Sequence, residues 1–358
     1  MKLKKIFILG AVVLLSTLLS GCSASAMRSN SWAGLSADTE NAFLANGSFV
    51  YAINLNNGNV TWQYPAEKAD SKESYFADPV LSDDGQVIVA SLGTNHSLAS
   101  LNIKNGYQNW TFSDAEGAWI ASPLIVDETI YAPNTDGKLY ALDLAGSFLW
   151  AKHIGGALWG QPVSDGDFLY LTSLDHHLYA FDLDKKEVTW QVELSGAIPG
   201  AAALGEDGKL YLGSFGSAMV AVDPQTQDIA WETPTKGWLW DPPALDDGTL
   251  YVGDLEGFFH ALNMEDGSPL WDAFQPDGPI IGTPLVTDDF VVIGTESGIA
   301  YAMDKEGKTL WQQNIGGRLY TNPVQGGDLI LFAPMENDSI LVALDSDGRQ
   351  VWQFTPEK

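Results

Sequence analysis

Apolar residues along this chain fall in short runs, alternating with polar ones and separated by turn-forming pairs. Between residues 121 and 153 the runs are 121–126, 129–133, 138–144 and 148–153, divided by Asp127-Glu128, Asp136-Gly137 and Ala145-Gly146. Period-two alternation over such lengths predicts β-strands, and Asx-Gly pairs supply the positive φ values that tight hairpins need. Parallel strands would require helical crossovers, and no segment has the length or the 3.6-residue period for one. The pattern predicts an all-β protein of antiparallel meanders.

The meander recurs. Its marker is a series of eight tryptophans: Trp62, Trp110, Trp150, Trp190, Trp231, Trp271, Trp311 and Trp352. They are spaced by 40 or 41 residues after a first interval of 48. Seven or eight residues before each lies Asn54, Asn102, Asp143, Asp182, Asp223, Asn263, Asp304 or Asp345. Two residues earlier comes Ala or, once, Ser100. Four residues before the Trp, six units carry Gly, whereas units four and five have Lys186 and Gln227. Those two turns are expected to adopt a different geometry. Residues 31–358 divide into eight units of 41, each with four short strands. That is the blade length of a β-propeller, whereas a sandwich module needs roughly 100 residues. The predicted fold is an eight-bladed β-propeller of four-stranded blades. Trp32 would open the first strand of blade 1 and Val351 the last of blade 8, so every blade would be complete within its own unit.

The motif A-x-[DN]-x-x-x-G-x-x-x-W resembles the PQQ-type, or quinoprotein-like, propeller repeat across residues 31–358. The resemblance implies that the eight repeat Trp dock flat between blades and that the Asx residues hold a turn. Physically, an Asx side chain caps turns, and a large ring fills the wedge between twisted sheets. Two functional classes share this repeat. Quinoprotein dehydrogenases hold PQQ beside a vicinal disulfide and a calcium ion. This chain has a single Cys and offers no local motif for the catalytic Asp or the calcium ligands. The layout is similar to the non-catalytic propeller scaffold of the outer-membrane β-barrel assembly machinery. That resemblance implies a protein-binding scaffold in the cell envelope with no cofactor. A PQQ-dependent oxidoreductase, with PQQ and calcium, is the alternative, followed by a glycan-binding or envelope-sensing propeller.

Charge narrows the partners. Eighteen Lys and Arg against 46 Asp and Glu give −28, which disfavours nucleic acid and anionic membrane surfaces. Attachment to a membrane would instead come from the N-terminus. Lys2, Lys4 and Lys5 precede an apolar run over 6–19, too short to span a bilayer comfortably, which predicts a signal peptide over 1–21. It ends Leu19-Ser20-Gly21-Cys22, which resembles a lipobox, and Cys22 is the lone thiol in the chain. The expected product is a monomeric lipoprotein, palmitoylated at Cys22 and tethered by residues 22–30. Fully extended, the eight residues after Cys22 reach about 28 Å. Ser23 rather than Asp after the Cys is compatible with the outer membrane. Without a second membrane the location would be the outer face of the plasma membrane.

Candidate chemistry is sparse. The five His fall in different units apart from His176-His177, where adjacent strand residues would face opposite ways. Asp83-Asp84-Gly85, Asp246-Asp247-Gly248 and Asp288-Asp289 lack calcium-loop spacing and read as hairpin turns. No catalytic residue or metal site is predicted. Trp32, Trp119, Trp159, Trp238 and Trp240 lie outside the repeat, all in the lead-in to the innermost strand. Trp119, Trp159, Trp240 and Tyr320 each follow a repeat Trp by nine residues, and Tyr75-Phe76 occupy the same segment of unit two. These eight aromatics are expected either to rim the central funnel as anchors for an envelope partner or to pack between inner strands.

Overall fold

The computed structural model describes residues 32–68, 70 and 72–357. The expected signal peptide, Cys22 and the tether lie outside the described residues. The propeller is all β, with eight antiparallel sheets in sequence order. Blade 1 shows the plan: strands Gly34–Ala37, Asn41–Asn46, Phe49–Asn54 and Val60–Tyr64, paired in that order. Blades 2 to 8 span 80–112, 124–153, 163–193, 203–234, 244–274, 285–314 and 324–354.

Burial explains why the runs read as they do. The middle two strands of a blade are buried along most of their length, as in Asn41–Asn46 and Phe49–Asn54. Both their faces pack against neighbouring blades, so the apolar run is nearly continuous there. Outer strands such as Glu187–Glu193 alternate between exposed and half-buried residues. The core is divided into eight clusters, one for each blade–blade interface around the ring.

The repeat motif builds each interface. In all eight blades the Asx side chain accepts a hydrogen bond from a turn amide, for example Asn56 N to Asn54 Oδ1 and Ser147 N to Asp143 Oδ1. The small residue two places earlier lies directly opposite the Trp, as Ala52 opposite Trp62, and a register shift follows in seven blades. This bulge re-aims the strand beside the indole.

The indole of one blade then lies against the turn of the next. Six of these turns carry Gly, covered by Trp62, Trp110, Trp231, Trp271, Trp311 and Trp352. A Cβ on Gly106 would sit 2.5 Å from Trp62, one on Gly146 would sit 2.4 Å from Trp110, and one on Gly348 would sit 2.6 Å from Trp311. Trp62, Trp110, Trp231, Trp311 and Trp352 also donate through Nε1 to the carbonyl just after the next blade's Asx, at 2.7–2.9 Å. Trp150 stacks on Phe181 of the next blade, and Trp190 tilts against Tyr170 within a cluster that includes residues of blade 5.

Two local features differ from the sequence reading, and one refines it. First, docking does not mean full enclosure. Trp62 and Trp352 are buried, whereas Trp110, Trp150, Trp190, Trp231, Trp271 and Trp311 are half-buried. These rings project from outer strands near the propeller's perimeter, so one side covers the neighbouring turn while part of the ring meets solvent. Second, Lys186 and Gln227 keep the geometry of the glycines they replace. Their φ values are 56° and 62°, beside 71° at Gly58, and their amides bond the Asx carbonyl in the same way. Exposure lets the side chains point outward, and the Lys186 ammonium lies 6.0 Å from the Trp150 ring centroid. Third, blade 6 forms a three-stranded sheet, with the outer position held by isolated bridges at Pro269 and Phe274. Pro269 has no N–H to give to the ladder. The Trp271 Nε1 beside it is buried without a hydrogen-bond partner among the described residues.

The ring closes without a shared strand. Blades 1 and 8 are each built from their own unit and meet in one apolar cluster. Trp352 Nε1 donates to Leu55 O at 2.7 Å, and Thr321 Oγ1 donates to Ala33 O at 2.6 Å. Trp352→Ala should therefore cost about 3–5 kcal/mol, the range for large buried rings. Chemical denaturation will measure it, and truncation after Gln350 should cost at least as much.

Candidate functional site

The lead-in segments of all eight blades converge on the axis. They line a funnel of about 490 Å3. Each blade contributes to its lining one larger apolar residue at the same phase: Trp32, Phe76, Ile120, Trp159, Pro199, Trp240, Ile281 and Tyr320. The residue before each, where described, is buried in an interface: Tyr75, Trp119, Leu158, Ile198, Leu239, Ile280 and Leu319. The residue after is small at most positions, because the strands crowd together at the throat. A Cβ on Gly200, which follows Pro199, would sit 2.4 Å from Trp240 O.

Five of the eight candidate rim aromatics line the funnel: Trp32, Phe76, Trp159, Trp240 and Tyr320. Two do not reach the rim. Trp119 is fully buried, donates to His96 O at 2.8 Å and packs edge-on against Tyr140. Tyr75 is 2% exposed and bridges Gly47 and Ser91. Unit three is offset by one position, so Ile120 takes the lining place. Trp238 lies just outside the funnel, 52% exposed. It stacks on Phe215 at 5.0 Å, Phe215 meets Trp240 at 5.4 Å, and Trp240 meets Trp32 edge-on at 6.3 Å. These four rings form a continuous aromatic ladder from outer surface to throat.

Polar groups tie neighbouring blades at the throat. Asp78 Oδ1 accepts from Leu35 N at 2.8 Å, Gln161 Nε2 donates to Pro123 O at 2.9 Å, and Asn322 Oδ1 accepts from Thr283 N at 2.7 Å. Asp78 and Asp241 also line the funnel. Burial pushes the Asp78 carboxyl up to about 6, partly offset by the Leu35 bond. Burial, then the nearby Asp78 charge, push Asp241 up to about 7. At the mouth Glu296 accepts from Arg318 and from the Tyr320 hydroxyl. Among the described residues no cluster of three potential metal ligands exists.

Sequence reasoning missed Phe215, Asp78 and Asp241. Proline carried the missing phase. Six units place Pro just before the innermost strand, at 79, 123, 162, 243, 284 and 323, and the lining residue lies three positions before it. That count selects Ile120 rather than Trp119, and it places Asp241 next to Trp240.

A family model described as outer membrane protein assembly factor BamB matches residues 31–158, 175–281 and 278–358. The chain belongs to the BamB family. It is 25% identical over 283 residues to BamB of Yersinia pestis, covering 72% of this chain and 67% of that protein. BamB of Moranella endobia is 24% identical over 271 residues, covering 71% and 67%. The crystal structure of BamB from Moraxella catarrhalis superposes with a TM-score of 0.71 at 18% identity, covering 89% of this chain and 96% of that one. A europium-containing methanol dehydrogenase reaches 0.69 at 16% identity, covering 84% and 82%. These two likenesses concern the fold, which BamB shares with a redox enzyme.

Two outcomes follow from the placements. Trp119→Ala should cost about 3–5 kcal/mol, whereas Trp238→Ala should change stability by less than about 0.5 kcal/mol in the same denaturation experiment. The raised throat carboxyls favour their protonated forms in the folded state. Their contribution is complete below the unfolded value of 3.8 and is lost as pH rises through about 6 and 7. Asp241→Asn should flatten that fall in melting temperature between about pH 4 and pH 7.

Proposed function

We propose that this propeller is a non-catalytic scaffold for outer-membrane protein assembly, held at the membrane by a lipid on Cys22. The observation that supports docking most directly is the ladder Trp238–Phe215–Trp240–Trp32, which brings four rings to one face of the ring. Interface hot spots concentrate in such clusters, because rigid rings bury large area at low entropic cost. The partner is a protein of the assembly machinery, as the names of the BamB relatives suggest. Its docking surface would be neutral or basic, to suit a chain of −28.

The redox alternative is weakened by the funnel lining. PQQ carries three carboxylates and calls for cationic donors. Among the described residues the funnel lining includes Asp78, Asp241 and Glu296 and no Lys or Arg. The residues present do not fit that cofactor. The fold alone assigns no reaction.

Quantitative capture of the assembly machinery by the purified chain tests the docking reading. Trp238→Ala should weaken capture about thirtyfold, equivalent to about 2 kcal/mol, while the protein melts as wild type does. Unchanged capture would remove this face from the interface. Anchoring is tested by fractionation: Cys22→Ala should abolish palmitate labelling and leave the domain soluble or as an unprocessed precursor. Absence of label from the unaltered chain would overturn the lipobox reading.

A further inference from the structure

The throat carries a chemistry that docking at the outer rim does not use. Asp78 and Asp241 come from blades 2 and 6 and line the same funnel, where the Asp78 charge helps to raise the Asp241 carboxyl. Among the described residues no positive charge contributes at either carboxyl. Glu296 is different, being paired with Arg318 at 2.7 Å. Asp78 has a structural duty to Leu35 through one oxygen. Asp241 stands beside a Thr283 amide that already donates to Asn322. Both carboxyls are half-buried in the funnel lining, where ionisation without a cationic partner costs stability. The lining that holds the two acids is otherwise rich in aromatic rings: Trp32, Trp159, Trp240 and Tyr320 line the same cavity.

We propose that the funnel throat is a binding site for an organic cation, a primary ammonium on an apolar alkyl stem. The head would sit between Asp78 and Asp241, with the stem along the indoles. Aromatic faces attract ammonium groups, and more strongly when water is excluded. A volume of about 490 Å3 lies in the range of small-ligand sites, about 300–1,000 Å3, and accommodates a lysine-sized group. A neutral ligand would leave the carboxyls unpaired, an anion would be repelled, and among the described residues no group of three His, Cys, Asp or Glu is placed to hold a metal ion. Binding would restore the ionised carboxylates, so it releases protons at neutral pH. The other titratable groups at the funnel are Glu296, with its Arg318 partner, and Tyr320. Their ion pair lies at the mouth.

A free alkylamine and a lysine side chain of an extended peptide present the same chemistry. Calorimetry and Trp fluorescence on the mature chain distinguish them with three probes: 1,5-diaminopentane, a short peptide with a central Lys, and the same peptide with norleucine. An amine-bearing probe should bind and perturb indole emission, while the norleucine peptide should not. Affinity should rise about tenfold or more from pH 5 to pH 8 as the carboxyls ionise, with protons released in buffers of different ionisation heat. Asp241→Asn should weaken binding about tenfold or more and reduce the proton release to the share from Asp78. Asp78→Asn would also disturb Leu35, so Trp159→Leu serves as the second variant and should weaken binding with folding intact. Preference for the diamine identifies a free amine as the source, and preference for the Lys peptide identifies a protein segment. No binding of either amine at millimolar concentration, equal binding of norleucine, or binding unchanged in Asp241→Asn overturns the proposal.

Discussion

Each blade presses one indole against the turn of the next, and the ring exists because this contact repeats until it closes on itself. A single four-stranded sheet of about 40 residues could not bury its two apolar faces alone. The docking Trp converts that deficit into specificity. At six of the interfaces its face covers the turn glycine of the neighbour, and at five its N–H caps the carbonyl after the neighbour's Asx. The Asx holds that turn, the small residue opposite leaves space, and the bulge sets the aim. The eighth contact, Trp352 on blade 1, uses the same turn glycine and carbonyl bond as Trp62, Trp110, Trp231 and Trp311. No exchanged strand is needed for closure, because the final interface resembles the rest.

Much of this was legible in the sequence, because the constraint is periodic. Eight phased Trp, Asx and small residues determine the number of blades and the order of strands, and in the third unit the expected and observed strands agree within three residues. What the motif conveyed less well was exposure and tolerance. A repeat spacing places Trp110, Trp190, Trp231 and Trp311 against a neighbouring turn, but it does not say how much of each ring solvent still reaches. Lys186 and Gln227 occupy the left-handed turn because their side chains can leave into solvent, an option a motif built on Gly does not reveal. Pro269 breaks one outer strand without breaking the ring, since that strand lies farthest from the axis.

The funnel was less legible for a physical reason. Adjacent residues in an extended lead-in face opposite ways, so an error of one position exchanges a lining side chain for a buried one. Trp119 and Tyr75 fell on the buried side, while Trp159, Trp240 and Tyr320 fell on the lining side. Counting on from the docking Trp crosses a loop of variable length, whereas counting back from the proline does not. Phe215 had no signal of this kind. It comes from the turn between the middle strands of blade 5 and joins the ladder through space.

The same fold serves assembly factors and dehydrogenases, so function rests on what the mouth presents. Here it presents aromatic rings around an acidic throat, on a strongly acidic body. The most direct test of the scaffold account is site-specific photocrosslinking in the intact envelope. A photoreactive residue at position 238 would be compared with one at position 107, in the turn joining the third and outer strands of blade 2, where Tyr107 is also exposed. The account predicts an adduct with an outer-membrane assembly protein from position 238 and none from 107. Adducts from 107 alone would place the partner at the turns that join the third and outer strands and contradict it.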